Sequence, residues 1–245
     1  MIIKHPNEQD IPALRQLWQT VFGDTDSFLD LFFSTAFDAE KSLSIREEER
    51  LAGAVYWLDC SWQGQPVAYI YALATHPDYR NRGFGKQLMA EVHNTLRQQG
   101  YRGVCLVPGE SRLEGYYAGL GYQSFGFARN DEIQAEGSAW VTEIDWEDYL
   151  QERNRVLKGA VLHSKQNFGF ISGFCNFYAG ENFLLCGTLD ADTLYIQEFL
   201  GACRNLPGIL AYLGAEKAVY KQLPAMYLAL EDSASLPTYF GISMN

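Results

Sequence analysis

The stretch that decides the fold is Thr75-His76-Pro77-Asp78-Tyr79-Arg80-Asn81-Arg82-Gly83-Phe84-Gly85-Lys86. Gly83 and Gly85 remove side chains where the backbone turns into a helix. The first amides of a helix lack intrahelical acceptors and carry the positive end of its dipole. A diphosphate fits there, bonded to the main chain. Arg80, Arg82 and Lys86 add positive charge for an anion. The spacing is neither that of a P-loop nor that of a dinucleotide-binding G-x-G-x-x-G turn.

On the N-terminal side of this loop, Val67 to Thr75 carries no charge, as suits a central strand covered on both faces. On the other side, Phe84, Leu88, Val92 and Leu96 form one helical stripe with Met89 beside them, and Gly100 ends the run. Val104-Cys105-Leu106-Val107 follows as a second strand, closed by Pro108-Gly109. Strand, loop, helix and strand make a crossover unit with its two strands parallel.

Further out, Ile2-Ile3 suggests a short first strand, with Asn7 or Asp10 as a helix cap. Ile11 to Phe22 has helical spacing and stops at Gly23. Phe28, Leu31, Phe32 and Thr35 suggest a second helix, whose aromatic face is either core or, through Phe32, the wall of a substrate cleft. Residues 42–46 and 51–59 read as strands, 113–120 as a short helix, 139–144 as a strand and 146–157 as a helix. Glu231 onward, carrying Ser, Pro and Gly, is expected to be a loosely held tail.

Composition bounds the function. The 245 residues are 47% hydrophobic, so a sizeable core is available. A net charge of −11 disfavours nucleic acid and anionic membrane surfaces as partners. The five cysteines are scattered and form no C-x-x-C, so they read as reduced core thiols. The N-terminus lacks a signal-peptide pattern and no uncharged run is long enough for a membrane helix, so the cytoplasm is the expected location. No spacing suits a metal site.

The loop resembles that of the GNAT superfamily of acyl-CoA-dependent N-acyltransferases, whose pyrophosphate motif is Arg or Gln, two residues, Gly, one residue, then Gly or Ala. Here it stands as Arg80-Asn81-Arg82-Gly83-Phe84-Gly85. Tyr116-Tyr117-Ala118-Gly119-Leu120-Gly121-Tyr122 is similar to a second motif of that family. The resemblance covers residues 1–147. It implies an α/β class with a mixed α+β sheet, in which strands 67–75 and 103–107 splay around the pantetheine arm of acetyl-CoA, helped by a bulge. It implies that Leu73, Ala74, Thr75 and residues Arg80 to Lys86 hold the coenzyme, with the Leu73 or Ala74 amide stabilising an oxyanion. An acetyl or other short acyl group would pass to a primary amine of a small molecule or peptide by direct attack, through a tetrahedral intermediate. By position in the motif, Tyr117 is the acid that protonates the leaving sulfur.

The sequence departs from the family at the base. Where many members carry a strand carboxylate, this chain has Tyr69, with Tyr71 two residues on and on the same face. Both are candidate substrate-wall residues. Glu110, or the more distant Glu114, is the candidate base, set against a solvated turn residue; without either, the amine can lose its proton to water. His76 reads as structural.

Residues 148–245 lack a second glycine loop. Even so, 193–200, 206–213 and 217–223 echo strand, helix and parallel strand, which suggests a smaller, degenerate GNAT-like α/β domain that does not bind CoA and either walls the acceptor site or supports the first domain. Arg153, Arg155 and Glu198 are expected at the surface or the junction. Two other readings stand beside the enzyme: a non-catalytic CoA-sensing module, favoured by the missing carboxylate, and an aminoacyl-tRNA-dependent transferase, disfavoured by the charge. The acceptor, the acyl chain and the oligomeric state, with a homodimer among the options, stay open.

Overall fold

The computed structural model describes residues 1–231 and 235–244. The first half runs β1 (Ile2–Lys4), α1 (Ile11–Phe22), α2 (Asp26–Thr35), β2 (Ser42–Glu47), β3 (Arg50–Trp62), β4 (Gln65–Thr75), α3 (Phe84–Gln98), β5 (Gly103–Leu106), α4 (Glu114–Ala118), β6 (Gln123–Phe125) and β7 (Arg129–Gln134). The second runs β8 (Thr142–Ile144), α5 (Trp146–Val156), β9 (Leu162–His163), α6 (Lys165–Ile171), β10 (Asn176–Gly180), β11 (Phe183–Asp190), β12 (Thr193–Leu200), α7 (Leu206–Leu213), β13 (Lys217–Gln222) and β14 (Ala225–Ala229). No helix among the described residues is long and apolar enough to cross a membrane.

The uncharged stretch 67–75 lies in β4, at the centre of a mixed sheet ordered β1-β2-β3-β4-β5-β14-β6. The stripe on α3 covers one face: Phe84, Leu88, Met89, Val92 and Leu96 are all buried against Ala68, Ile70 and Val104. As the crossover pattern requires, β4 and β5 are parallel, with Val67 opposite Gly103 and Ile70 opposite Leu106. The hairpin from β3 to β4 is tight because Gln63 and Gly64 both take positive φ, 52° and 75°.

The second sheet, β8-β10-β11-β12-β13-β7, repeats the order of the first. Its β12 and β13 are parallel and joined through α7, as the echo in the sequence suggested. The two halves are interlocked, because β14 pairs antiparallel with β5 in the first sheet while β7 pairs antiparallel with β13 in the second. Across the expected junction at residue 147 each half therefore lends the other two strands, β7 and β8 to the second sheet and β14 and β9, which pairs with β3, to the first. Leu14, Trp18, Phe32 and Tyr69 share one core with Tyr149, Phe168, Phe170 and Phe240. Phe32, 1% exposed, belongs to that core and not to a cleft wall.

The C-terminal tail is the main correction to the sequence reading. Of the stretch from Glu231, residues 232–234 and 245 lie outside the described residues. The rest is a buried strap, not a loose end: Phe240, Ile242, Ser243 and Met244 are all buried. Side chains from both halves hold its carbonyls. Arg153 Nη2 donates to Phe240 O at 2.8 Å, Gln222 Nε2 to Gly241 O at 2.8 Å and His163 Nε2 to Ile242 O at 2.9 Å. The Tyr69 hydroxyl donates to Ser243 O. Serine, proline and glycine composition suggested a loosely held tail, but burial of alternate apolar residues and satisfied carbonyls override it. A smaller correction concerns the thiols, since Cys203 is exposed while the other four are buried.

Arg153 and Glu198 form a fully buried ion pair at 2.8 Å, closed by the Tyr149 hydroxyl at 2.9 Å; Arg155 stays at the surface. A buried charge stripped of its partner is costly, whereas loss of both is tolerated better. Arg153→Met is expected to cost about 3–5 kcal/mol, and Arg153→Met with Glu198→Leu less than that. Urea midpoints check this, and a single variant unfolding at the wild-type midpoint would refute it.

His93, on the buried face of α3 and 2.8 Å from the Tyr122 hydroxyl, has its pKa pushed down to about 4 by burial and by Arg97. The unfolded chain protonates this histidine near 6.5. Its contribution to stability is therefore complete above that pH and declines as pH falls toward 4. His93→Gln should flatten the decline of the melting temperature over that window; an unchanged slope would count against it.

Candidate active site

The site grows from one extra residue. Tyr56 pairs with Ala72 but Trp57 pairs with Ile70, so Tyr71 is a bulge in β4. The pairing of β4 with β5 ends at Ile70, and past the bulge β4 continues against β3 alone. His76 N–H donates to Ala52 O at 2.9 Å, which fixes the alternation of the antiparallel ladder. Ala74 and Ala72 are in hydrogen-bonded register with β3, while Leu73 and Thr75 turn their backbone groups to the open side. Of the Leu73 and Ala74 amides, only that of Leu73 faces the open side.

A cavity of about 420 Å³ fills this splay, with Tyr71, Leu73, Val107 and Tyr117 on its walls. At the far end of the open edge lies the glycine loop. Gly83 has φ of 81° and Asn81 has φ of 61°, so the chain enters α3 through left-handed positions. Phe84, Gly85 and Lys86 precede the first intrahelical bond, from Gln87 N–H to Gly83 O. A Cβ on Gly85 would sit 3.3 Å from the Tyr116 hydroxyl and 3.4 Å from Thr75 Oγ1, so a side chain there would fill the space beside these amides.

The three basic residues divide their work. Arg82 Nη2 donates to both carboxylate oxygens of Glu47, at 2.6 and 2.8 Å, and its guanidinium lies over Tyr79 and Phe84, which makes it a brace for the loop. Arg80 donates to Thr75 O at 3.3 Å. Neither Arg80 nor Lys86 forms an ion pair among the described residues, and both are exposed.

Tyr117 is buried, and its hydroxyl pKa is pushed up to about 12 by burial and by neighbouring Tyr116. It therefore keeps its proton at neutral pH. Tyr69 lies outside the cavity lining: it is 1% exposed and packs on Phe240 at 4.7 Å. Glu110 also stands outside it, fully exposed and bound to Arg112, whose hydrogen bond and charge hold its carboxyl below the usual range. Glu114 does not line the cavity either. His76 Nδ1 accepts from Asp78 N–H, a structural cap as expected. No metal-binding cluster occurs among the described residues.

Among the lining residues that the sequence did not place at the site are Asp24, Gln197 and Met244. Asp24 carried a signal, a carboxylate directly after the helix-ending Gly23. Gln197 and Met244 carried none, because they arrive from the second half. Gln197 is itself a bulge, since Cys186 pairs with Glu198 and Gly187 with Ile196. The second sheet thus repeats the distortion of the first. It does not repeat the open helix start: Glu136 N–H donates to Pro207 O at 3.1 Å, and a Cβ on Gly208 would meet Ser138 backbone at 2.8 Å. The chain's own loop covers the first turn of α7.

Comparison with known proteins agrees with this fold. The family model for the acetyltransferase (GNAT) domain matches residues 2–128. The chain belongs to the GNAT acetyltransferase family. No curated protein matches it in sequence. Among solved structures it is similar to a GCN5-related N-acetyltransferase from Anabaena variabilis, at 15% identity and TM-score 0.72, covering 94% of this chain and 73% of that one. A GCN5-related N-acetyltransferase from Kribbella flavida gives 16%, 0.69, 93% and 70% in the same order. For a putative acetyltransferase from Pyrococcus horikoshii the values are 12%, 0.69, 98% and 93%. At these identities the likeness is one of fold, and it extends over both halves.

If the start of α3 is the anion seat, Gly83→Glu should abolish CoA binding while Gly83→Asn, which tolerates positive φ, retains it. Calorimetry on proteins with wild-type circular dichroism decides, and unchanged affinity in the Glu variant would remove the assignment.

Proposed function

We propose that the protein transfers an acetyl or other short acyl group from acyl-CoA to a primary amine of a small molecule or peptide. The observation that carries this reading is the continuity of three features along one strand edge. The helix start at Gly83–Lys86 leads to the outward backbone of Thr75 and Leu73, and this leads to a cavity walled by Tyr117. When bound, acyl-CoA supplies the thioester that the neutral amine attacks.

The residues present fit that co-substrate. Backbone amides of Phe84, Gly85 and Lys86, with the side chains of Arg80 and Lys86, receive the diphosphate. Outward groups of Thr75 and Leu73 pair with the pantetheine amides as an added strand would. The Leu73 N–H faces the carbonyl oxygen, where negative charge develops. Tyr117, protonated at neutral pH, donates to the departing sulfur. Tyr69 cannot serve as base, and Glu110 is bound by Arg112 outside the cavity, so the ammonium proton leaves to water. Alignment of both reactants in one cleft supplies much of the rate.

The tyrosine at the strand position of the missing carboxylate favours a second reading, a CoA-binding module without turnover. Free-thiol release across an amine panel separates the two. For the enzyme, Tyr117→Phe should lower kcat on the order of 10²-fold with little change in KM. An unaffected kcat would remove Tyr117 as the acid.

A further inference from the structure

Asp24 is the only charged side chain among the described residues that line the cavity, and six of the other lining residues are aromatic: Trp18, Phe22, Phe28, Tyr71, Tyr117 and Phe174. It follows Gly23, whose φ of 80° ends α1 and turns the chain toward α2. Trp18 Nε1 donates to Asp24 Oδ2 at 2.7 Å. That is its only hydrogen bond among the described residues, no ion pair neutralises it there, and Oδ1 is left available. The Trp18 ring lies 5.8 Å from Tyr71, whose hydroxyl is pushed up by burial and, secondarily, by the Asp24 charge. Phe22, Phe28 and Phe174 line the same cavity.

A lone carboxylate facing π-surfaces is a receptor for an organic cation. The carboxylate supplies the charge-assisted hydrogen bond, and aromatic faces attract the same positive charge. They also cover an apolar body attached to it. Diacids and strongly acidic acceptors would meet Asp24 as a like charge.

Building on the acyltransferase reading, we infer that Asp24 and the surrounding aromatic wall receive the acceptor as an ammonium ion, and that the acceptor is a compact primary amine with an aromatic or branched apolar body. Asp24 is a substrate-binding residue here. Gln197, at the bulge of the second sheet, and Met244, at the end of the strap, complete the pocket. The second half therefore limits the size of the acceptor.

The test is calorimetric titration of the full chain with phenethylammonium and with its neutral counterpart 2-phenylethanol, each with and without saturating CoA. Wild type should bind the ammonium more tightly than the alcohol. Asp24→Asn, which keeps an acceptor for Trp18 Nε1, should weaken ammonium binding by roughly ten- to a hundredfold, with CoA and alcohol affinities unchanged. Asp24→Glu should restore part of the loss. The inference is overturned if wild type does not bind phenethylammonium at millimolar concentration, if Asp24→Asn binds it as wild type does, or if the alcohol loses as much affinity as the ammonium. Failure to bind CoA would instead overturn the acyltransferase reading, and the titrations without CoA would still report on Asp24.

Discussion

The site depends on the bulge at Tyr71. A regular β4 would keep its outward backbone groups paired with β5, and the sheet would close. One surplus residue turns the strand so that Leu73 and Thr75 present main-chain groups to a gap. The glycine loop then matters because it begins where that open edge ends. Without the splay, the amides at Gly85 and Lys86 would be an ordinary helix start on a closed sheet. A helix terminus attracts anions in many proteins; what sets this one apart is the strand edge leading from it to Tyr117.

The second half takes part in the same construction. It has its own parallel pair, crossover helix and bulge, so its backbone contains the elements of a second gap. The loop at residues 136–139 covers the helix start that an anion would need. What remains useful is its surface. Phe174, Gln197 and Met244 close the first half's cavity, while β14 and the strap tie the two sheets together. The reciprocal loan of β7 and β14 means that neither sheet is complete when the chain is cut at residue 147.

Much of this was legible in the sequence wherever local pattern and tertiary role coincide. The uncharged run in β4, the stripe on α3 and the echo at β12, α7 and β13 all express periodicity or burial that neighbouring residues reveal. β7 was missed because Arg129-Asn130-Asp131-Glu132-Ile133-Gln134 has a single apolar side chain; its strand conformation comes from pairing with β13. β14 lies more than a hundred residues from β5 in sequence, and no local signal announces that pairing. The strap was misread for the same reason. Its carbonyls are satisfied by Tyr69, Arg153, His163 and Gln222, none of which is a sequence neighbour. The site divides similarly: the loop and Tyr117 could be read from motifs, while Asp24 needed the fold to show what it faces.

The strap also explains why position 69 holds no carboxylate. Tyr69 is covered by Phe240 and His163, and its hydroxyl donates to the Ser243 carbonyl. His163 donates to Ile242 O, so its other ring nitrogen can only accept, from Asn167 or Cys60, and burial together with the Arg153 charge pushes its pKa down to about 3. A carboxylate at this point would face a carbonyl oxygen and a neutral ring, with no donor to hold its charge, and would be costly to ionise. A phenol supplies the donor that the Ser243 carbonyl accepts from. The closed wall contributed by the second half and a strand carboxylate base are therefore exclusive arrangements of the same space. With position 69 committed to holding the strap, the only carboxylate lining the cavity among the described residues is Asp24.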